Sequence, residues 1–279
     1  MTMVGGGRPT PLASIWSAAN RVTWQFRERL AWRRNIRSVA PVSRGALLRG
    51  LSDPERASLT LDTWLHELAL DAGRLSAEAA WIRDALDLMA ALEVAIGHLP
   101  AVLPNPLRVL DVGAKTWHYV RGIHALLRLR GGGPRDLRLT GVEIDAFRVY
   151  RDLHSRWDWA HWHASTCPGT RYLAMDAFDF HQPQDLVLLL LPIMFEEEHL
   201  DWGLSLGQYR PDALFTHARR LAGPEGHVVM LNFAYEEPAL DIIASLQEAP
   251  PLLRRPAPSA LESGELPRIL TVWRGLSES

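Results

Sequence analysis

Three carboxylates recur at a regular interval in the second half of the chain. Asp111 lies in Leu110-Asp-Val-Gly113-Ala-Lys115-Thr116, Glu143 in Gly141-Val-Glu-Ile-Asp145, and Asp176 in Leu173-Ala-Met-Asp-Ala177. They are 32 and 33 residues apart, each gap about one strand-plus-helix unit. A carboxylate has two acceptor oxygens and can take two hydroxyl donors at once. Two nucleotide fingerprints fail in the same stretch. A G-x-G-x-x-G loop would need glycine where Lys115 and His118 stand. A phosphate-binding G-x-x-x-x-G-K-[ST] loop has its final pair in Lys115-Thr116, but Val109 and Ala114 hold the glycine positions.

The elements that must position these acids follow from periodicity. Strands are expected at 108–112, 137–144, 171–175, 185–191 and 226–233, and helices at about 119–130, 147–163, 211–222 and 238–247. A last strand, 268–273, is expected to pair with 252–255. Leu186–Leu191 is continuous and apolar, as a central parallel strand is. Alternating units of this size predict an α/β, doubly wound sheet over residues 105–279, with ligands at the carboxyl ends of its strands. Before it, 1–104 reads as a helical N-terminal region. Apolar residues recur at helical spacing in 59–70 and 77–96, Ser52-Asp53-Pro54-Glu55 marks a helix start, and the prolines at 100, 104 and 106 close the region.

At this point the sequence resembles the class I, Rossmann-like S-adenosylmethionine-dependent methyltransferases, over residues 105–279. The resemblance implies S-adenosyl-L-methionine as cofactor. Carried over by position, Gly113 would let the backbone approach the methionine part and Asp111 would orient the loop. Glu143 would accept the ribose hydroxyls, with Asp145 its close rival, and Asp176 would bind the adenine amino group. Ala114, Lys115, Ile144, Ala177 and Leu191 complete the expected cofactor-binding set. Lys115 and Trp117 stand where the family usually has glycines. Lys115 could pair with the cofactor carboxylate, and Trp117 could cover sugar or substrate. Alternatively, the three acids merely cap the next helix, Lys115 is solvated and Trp117 is packed.

Leu190-Leu-Pro-Ile-Met-Phe195 lacks the polar residue that amino-directed nucleic-acid methyltransferases commonly carry after strand four, so nucleobase N-methylation is disfavoured. His199 is the candidate general base, its alternative being a surface histidine after three glutamates. His154, His161, His163 and Cys167 invite a zinc reading. His161 and His163 would point about 200° apart on a helix, however, and no metal site is expected. The Arg-rich stretch Arg27–Arg37 could contact phosphate or membrane, but Trp24, Phe26, Leu30 and Trp32 interleave with it, and an amphipathic packing helix with a solvated basic face is expected.

Composition bounds the rest. The 279 residues carry 30 basic and 32 acidic side chains, so no global attraction to nucleic acid is expected. Cys167 is the single cysteine, which excludes an internal disulfide. No signal peptide or membrane span is evident, and a cytoplasmic protein is expected. The resulting expectation is methyl transfer to a small-molecule acceptor, without nucleic-acid or membrane partners. The alternatives are a catalytically inactive methyltransferase-like scaffold or an RNA-directed enzyme.

Overall fold

A computed structural model describes residues 10–245, 250–261 and 266–276. Helix α1 (Pro11–Leu30) starts at Thr10, whose hydroxyl accepts from the Ala13 N–H. After it come α2 (Arg44–Leu48), α3 (Pro54–Glu67), α4 (Ala72–Leu75) and α5 (Ala79–Ile96). Asp53 caps α3 by accepting from the Arg56 N–H, with Pro54 in the first turn, as the sequence signal predicts. The expected boundary near 104 falls in the irregular segment after α5. One buried cluster nevertheless runs from Leu86, Met89 and Leu92 of α5 into the sheet at Val109, Val229 and Leu270.

The second part alternates β1 (Leu107–Val112), α6 (Val120–Leu129), β2 (Leu137–Glu143), α7 (Arg156–Ala164), β3 (Thr170–Ala174) and β4 (Leu186–Leu190). It continues with α8 (Glu196–Asp201), α9 (Pro211–Ala222), β5 (His227–Phe233), α10 (Glu237–Ser245), β6 (Leu253–Pro256) and β7 (Arg268–Arg274). The seven strands lie in the order β3-β2-β1-β4-β5-β7-β6. Strands β1 to β5 run parallel, and β7 lies antiparallel between β5 and β6. The expected pairing of the last strand with the 252–255 region is present. The expected end of the 238–247 helix lies outside the described residues.

Two local expectations are corrected. The helix expected from Phe147 begins only at Arg156. Ser155 supplies the start signal, its hydroxyl accepting from the Asp158 N–H while the Asp158 carboxylate accepts from the Ser155 N–H. The residues before it form a turn closed by a Val149–Ser155 bridge. The packing helix expected over Arg27–Arg37 ends at Leu30, where Ala31 turns left-handed (φ 45°), and α1, which ends there, turns its apolar side out. Its inward face is polar, and Leu12, Ile15, Val22 and Phe26 are each about two-thirds exposed. Inward, Trp24 Nε1 donates to the Ile144 carbonyl (2.9 Å), Arg27 pairs with Asp145 (2.8 Å), and Asn20 donates to the carbonyls of Leu200 and Leu204. The carbonyls of Ile144 and Leu204 and the Asp145 carboxylate sit in loops, and the Leu200 carbonyl sits at the end of α8, so polar side chains face them and apolar ones turn out.

Candidate active site

A cavity opens at the carboxyl ends of β1, β2 and β4, between the loops that follow them. Of the expected residues it is lined by Gly113, Lys115, Glu143 and Ile144, together with Asp176, Ala177, Leu191 and His199. Asp111 and Ala114 are not among its walls; both are buried beneath the loop.

The loop after β1 keeps a glycine-like backbone at Lys115 and Trp117 as well as at its one glycine. Gly113 has φ +73°, and a Cβ there would meet nothing within 4 Å, so its main chain faces open space. Lys115 and Trp117 both have φ +52°, a left-handed conformation costing about 1–3 kcal/mol for a side-chain-bearing residue. Four contacts hold it. The Lys115 N–H donates to Glu143 Oε2 (3.0 Å), and the Tyr172 hydroxyl donates to the Lys115 carbonyl (2.7 Å). Trp117 Nε1 donates to Asp111 Oδ2 (2.8 Å), and its buried indole lies against Gly141, where an added Cβ would come within 2.9 Å. Trp117 therefore pins the loop from below; it does not cover the cavity. Burial raises the Asp111 carboxyl to about 7 despite its contacts with Tyr119 and Trp117.

Glu143 and its rival separate cleanly. Asp145 is fully buried, faces α1 and carries Arg27 and Arg148 at 2.8 Å each, whereas Glu143 lines the cavity. Glu143 is itself heavily engaged. Its Oε1 accepts from the Asp145 N–H and from Arg156 Nη1 (2.9 Å each), and its Oε2 accepts from Lys115 N–H. Asp176 accepts from the Phe178 N–H (3.1 Å), the capping role, while its other oxygen pairs with Arg210 (3.1 Å). His199 is buried: its ring Nε2 lies 2.9 Å from the Ser205 carbonyl and so donates to it. Burial lowers its pKa, leaving a neutral ring.

Sequence reasoning missed Arg156, Trp202 and Arg210. Arg156 occupies the first position of α7, where the Ser155 cap turns it back towards the end of β2. It is 3% exposed, and its Nη2 is buried without a hydrogen-bond partner. The Lys115 ammonium and the Arg156 guanidinium lie 4.4 and 5.4 Å from the centre of the Trp202 ring, two cations on one indole. Burial, then the Arg156 charge, lowers the Lys115 pKa. The histidines of the zinc reading are used elsewhere. His161 Nδ1 donates to the Trp157 carbonyl, and His163 lies between Ser76 and Thr116. Among the described residues no three His, Cys, Asp or Glu side chains are grouped to hold a metal.

The parallel strands wind outwards in both directions from β1 and β4, and the cavity lies at that switch point. The fold is Rossmann-like. No protein-family model matches the chain, and no curated protein matches it in sequence. Solved structures similar to it include class I methyltransferases at low identity. A putative class I S-adenosylmethionine-dependent methyltransferase from Listeria monocytogenes has a TM-score of 0.48 at 14% identity, over 83% of this chain and 70% of that one. Magnesium protoporphyrin IX methyltransferase from Synechocystis PCC 6803, with bound SAM, has a TM-score of 0.45 at 14% identity, over 85% and 100%. A putative RNA methyltransferase from Pyrococcus horikoshii has a TM-score of 0.44 at 12% identity, over 91% and 96%.

Proposed function

We propose that the chain transfers a methyl group from S-adenosylmethionine to a small-molecule acceptor in this cavity. One observation carries the reading. At the switch point, the open backbone of Gly113 stands beside Glu143 and the unpartnered Nη2 of Arg156. Gly113 would accommodate the methionine part, Glu143 the ribose, and Asp176 with Ala177 the adenine, while Lys115 or Arg156 would meet the cofactor carboxylate. When bound, the cofactor supplies an electrophilic methyl group for in-line displacement. The chain's own share is to orient and desolvate. Ile193, Leu204 and Leu214 give the acceptor an apolar wall, which suits a small molecule better than a polyanion. Proximity can supply much of the acceleration, and His199 can take a proton only through Nδ1.

The free volume is about 150 Å³, below the roughly 300–1,000 Å³ of drug-sized sites, so Trp202 or Arg210 must swing aside for a nucleoside. That closure, with the engaged oxygens of Glu143, favours a second reading: a catalytically inactive, methyltransferase-like binding protein. Calorimetric titration with S-adenosylmethionine and S-adenosylhomocysteine decides between them. Binding of both is expected, weakened about tenfold or more by Gly113→Ala, whose methyl would project into the open space at a strained φ. Absence of heat and of any thermal shift at millimolar ligand leaves the inactive reading or another ligand.

A further inference from the structure

The outward face of α1 is an apolar stripe with no partner in the fold. At 100° per residue, Leu12, Ile15, Trp16, Val22, Phe26 and Leu30 fall within a sector of about 120°, and each is at least half exposed. The inward face, through Asn20, Trp24 and Arg27, is fixed to the domain by the hydrogen bonds described above, so the stripe cannot roll inwards. It continues past the end of the helix in a groove shared by Phe26, Leu30, Trp32 and Val149. Contiguous exposed apolar surface of this kind marks an interaction site.

Charge says what covers it. Through residue 44 the chain has eight arginines against one acid, Glu28, while the remainder has 22 basic and 31 acidic residues. The formal +7 of the first part is thus set against −9 in the rest. Arg29 borders the stripe, Arg21 stands further round the same flank, and Arg33, Arg34 and Arg37 follow the helix. Two copies meeting through this face would bring two strongly basic segments together, even with Arg27 and Arg44 paired to Asp145 and Asp62. RNA would answer the arginines but leave Leu12, Ile15, Val22 and Leu30 in water. An anionic lipid surface satisfies both: apolar side chains enter the acyl boundary and arginines meet the phosphates. Trp16 and Trp32 suit the headgroup layer, where amphipathic rings are favoured.

We propose that α1 docks the protein flat on anionic membranes through its apolar outer face. No helix among the described residues is long and apolar enough to cross a membrane, so the contact is peripheral. Docking bears on the cavity, because α1 holds the carbonyls of Leu200 and Leu204 in the segment that carries the cavity-lining Trp202 and Leu204. The inference stands apart from the cofactor reading and survives its failure.

The test is co-sedimentation of the full chain with phosphatidylglycerol-containing and pure phosphatidylcholine vesicles at low and high salt. Binding is expected on the anionic vesicles, weaker at high salt, and much weaker on the neutral ones. Val22→Gln with Phe26→Gln should lower vesicle affinity by at least about 30-fold. Arg21→Gln and Arg29→Gln should each lower it about fivefold on anionic vesicles only. All four side chains are exposed, so circular dichroism and melting temperature should not change. Absence of binding at low salt overturns the proposal, as does binding indifferent to Val22 and Phe26. Self-association or RNA binding in place of vesicle binding, abolished by the same variants, also overturns it.

Discussion

Glu143→Gln should lower the stability of the unliganded protein by about 3 kcal/mol, a fall in melting temperature on the order of 6–10 °C. From the sequence alone, a carboxylate facing a cofactor would be replaced without harm to the fold. The structure changes that expectation. Glu143 is the 2.9 Å partner of Arg156, both side chains being at most 4% exposed. Removing one member of a buried ion pair leaves the other charge uncompensated, at about 3–5 kcal/mol. Asp145, 3.9 Å from Arg156, offsets part of this. Glutamine also puts its NH2 against one of the two N–H groups that Glu143 accepts from, Lys115 on Oε2 or Asp145 on Oε1, which loosens the loop after β1. Cofactor affinity should therefore fall together with stability. Differential scanning calorimetry with and without S-adenosylhomocysteine reads both effects. An unchanged melting temperature would show that the pair does not hold the end of β2. Arg156→Met with Glu143→Gln should recover part of the lost stability, because the orphaned charge is gone.

Acid should destabilise the protein through His163, which is fully buried. Its Nδ1 faces the Thr116 carbonyl and its Nε2 the Ser76 hydroxyl, both at 2.9 Å, so the neutral ring donates to the first and accepts from the second. Burial, then the His118 charge, pushes its pKa down to about 3. The unfolded chain binds a proton at this residue near the ordinary 6.5, and the folded chain only near 3. Its contribution is therefore fully present above 6.5 and is lost as pH falls towards 3, at about 1.4 kcal/mol per unit and on the order of 4–5 kcal/mol in all. Asp111 and Glu236, raised to about 7 mainly by burial, act oppositely. Their contribution is present below the ordinary carboxylate range and is lost as pH rises to 7. The difference between wild type and His163→Gln isolates the histidine. Urea unfolding at about pH 7, 6 and 5 should show the variant less stable at pH 7, with the gap closing on acidification. A gap that stays constant with pH would mean that His163 titrates alike in both states.

Local chemistry determined the skeleton. Asp53-Pro54 and Thr10 start their helices through contacts three residues long, and the apolar run at 186–190 needs no information beyond itself to be a buried strand. The spacing of Asp111, Glu143 and Asp176 placed three acids at the ends of β1, β2 and β3 because each strand-and-helix unit has nearly the same length. Spacing does not say which way a side chain turns. Asp111 looks under the loop to Trp117, whereas Glu143 faces the cavity, and that choice rests on Gly141 leaving room for an indole. Periodicity likewise gave α1 two faces without saying which one meets the protein. The loop carbonyls of Ile144 and Leu204 and the buried Asp145 carboxylate decided it, because acceptors away from water draw Asn20, Trp24 and Arg27 more strongly than burial attracts Ile15 or Phe26. Arg156 and Trp202 meet across 46 positions of sequence, and no local pattern encodes a contact that only the closed sheet and its loops bring about.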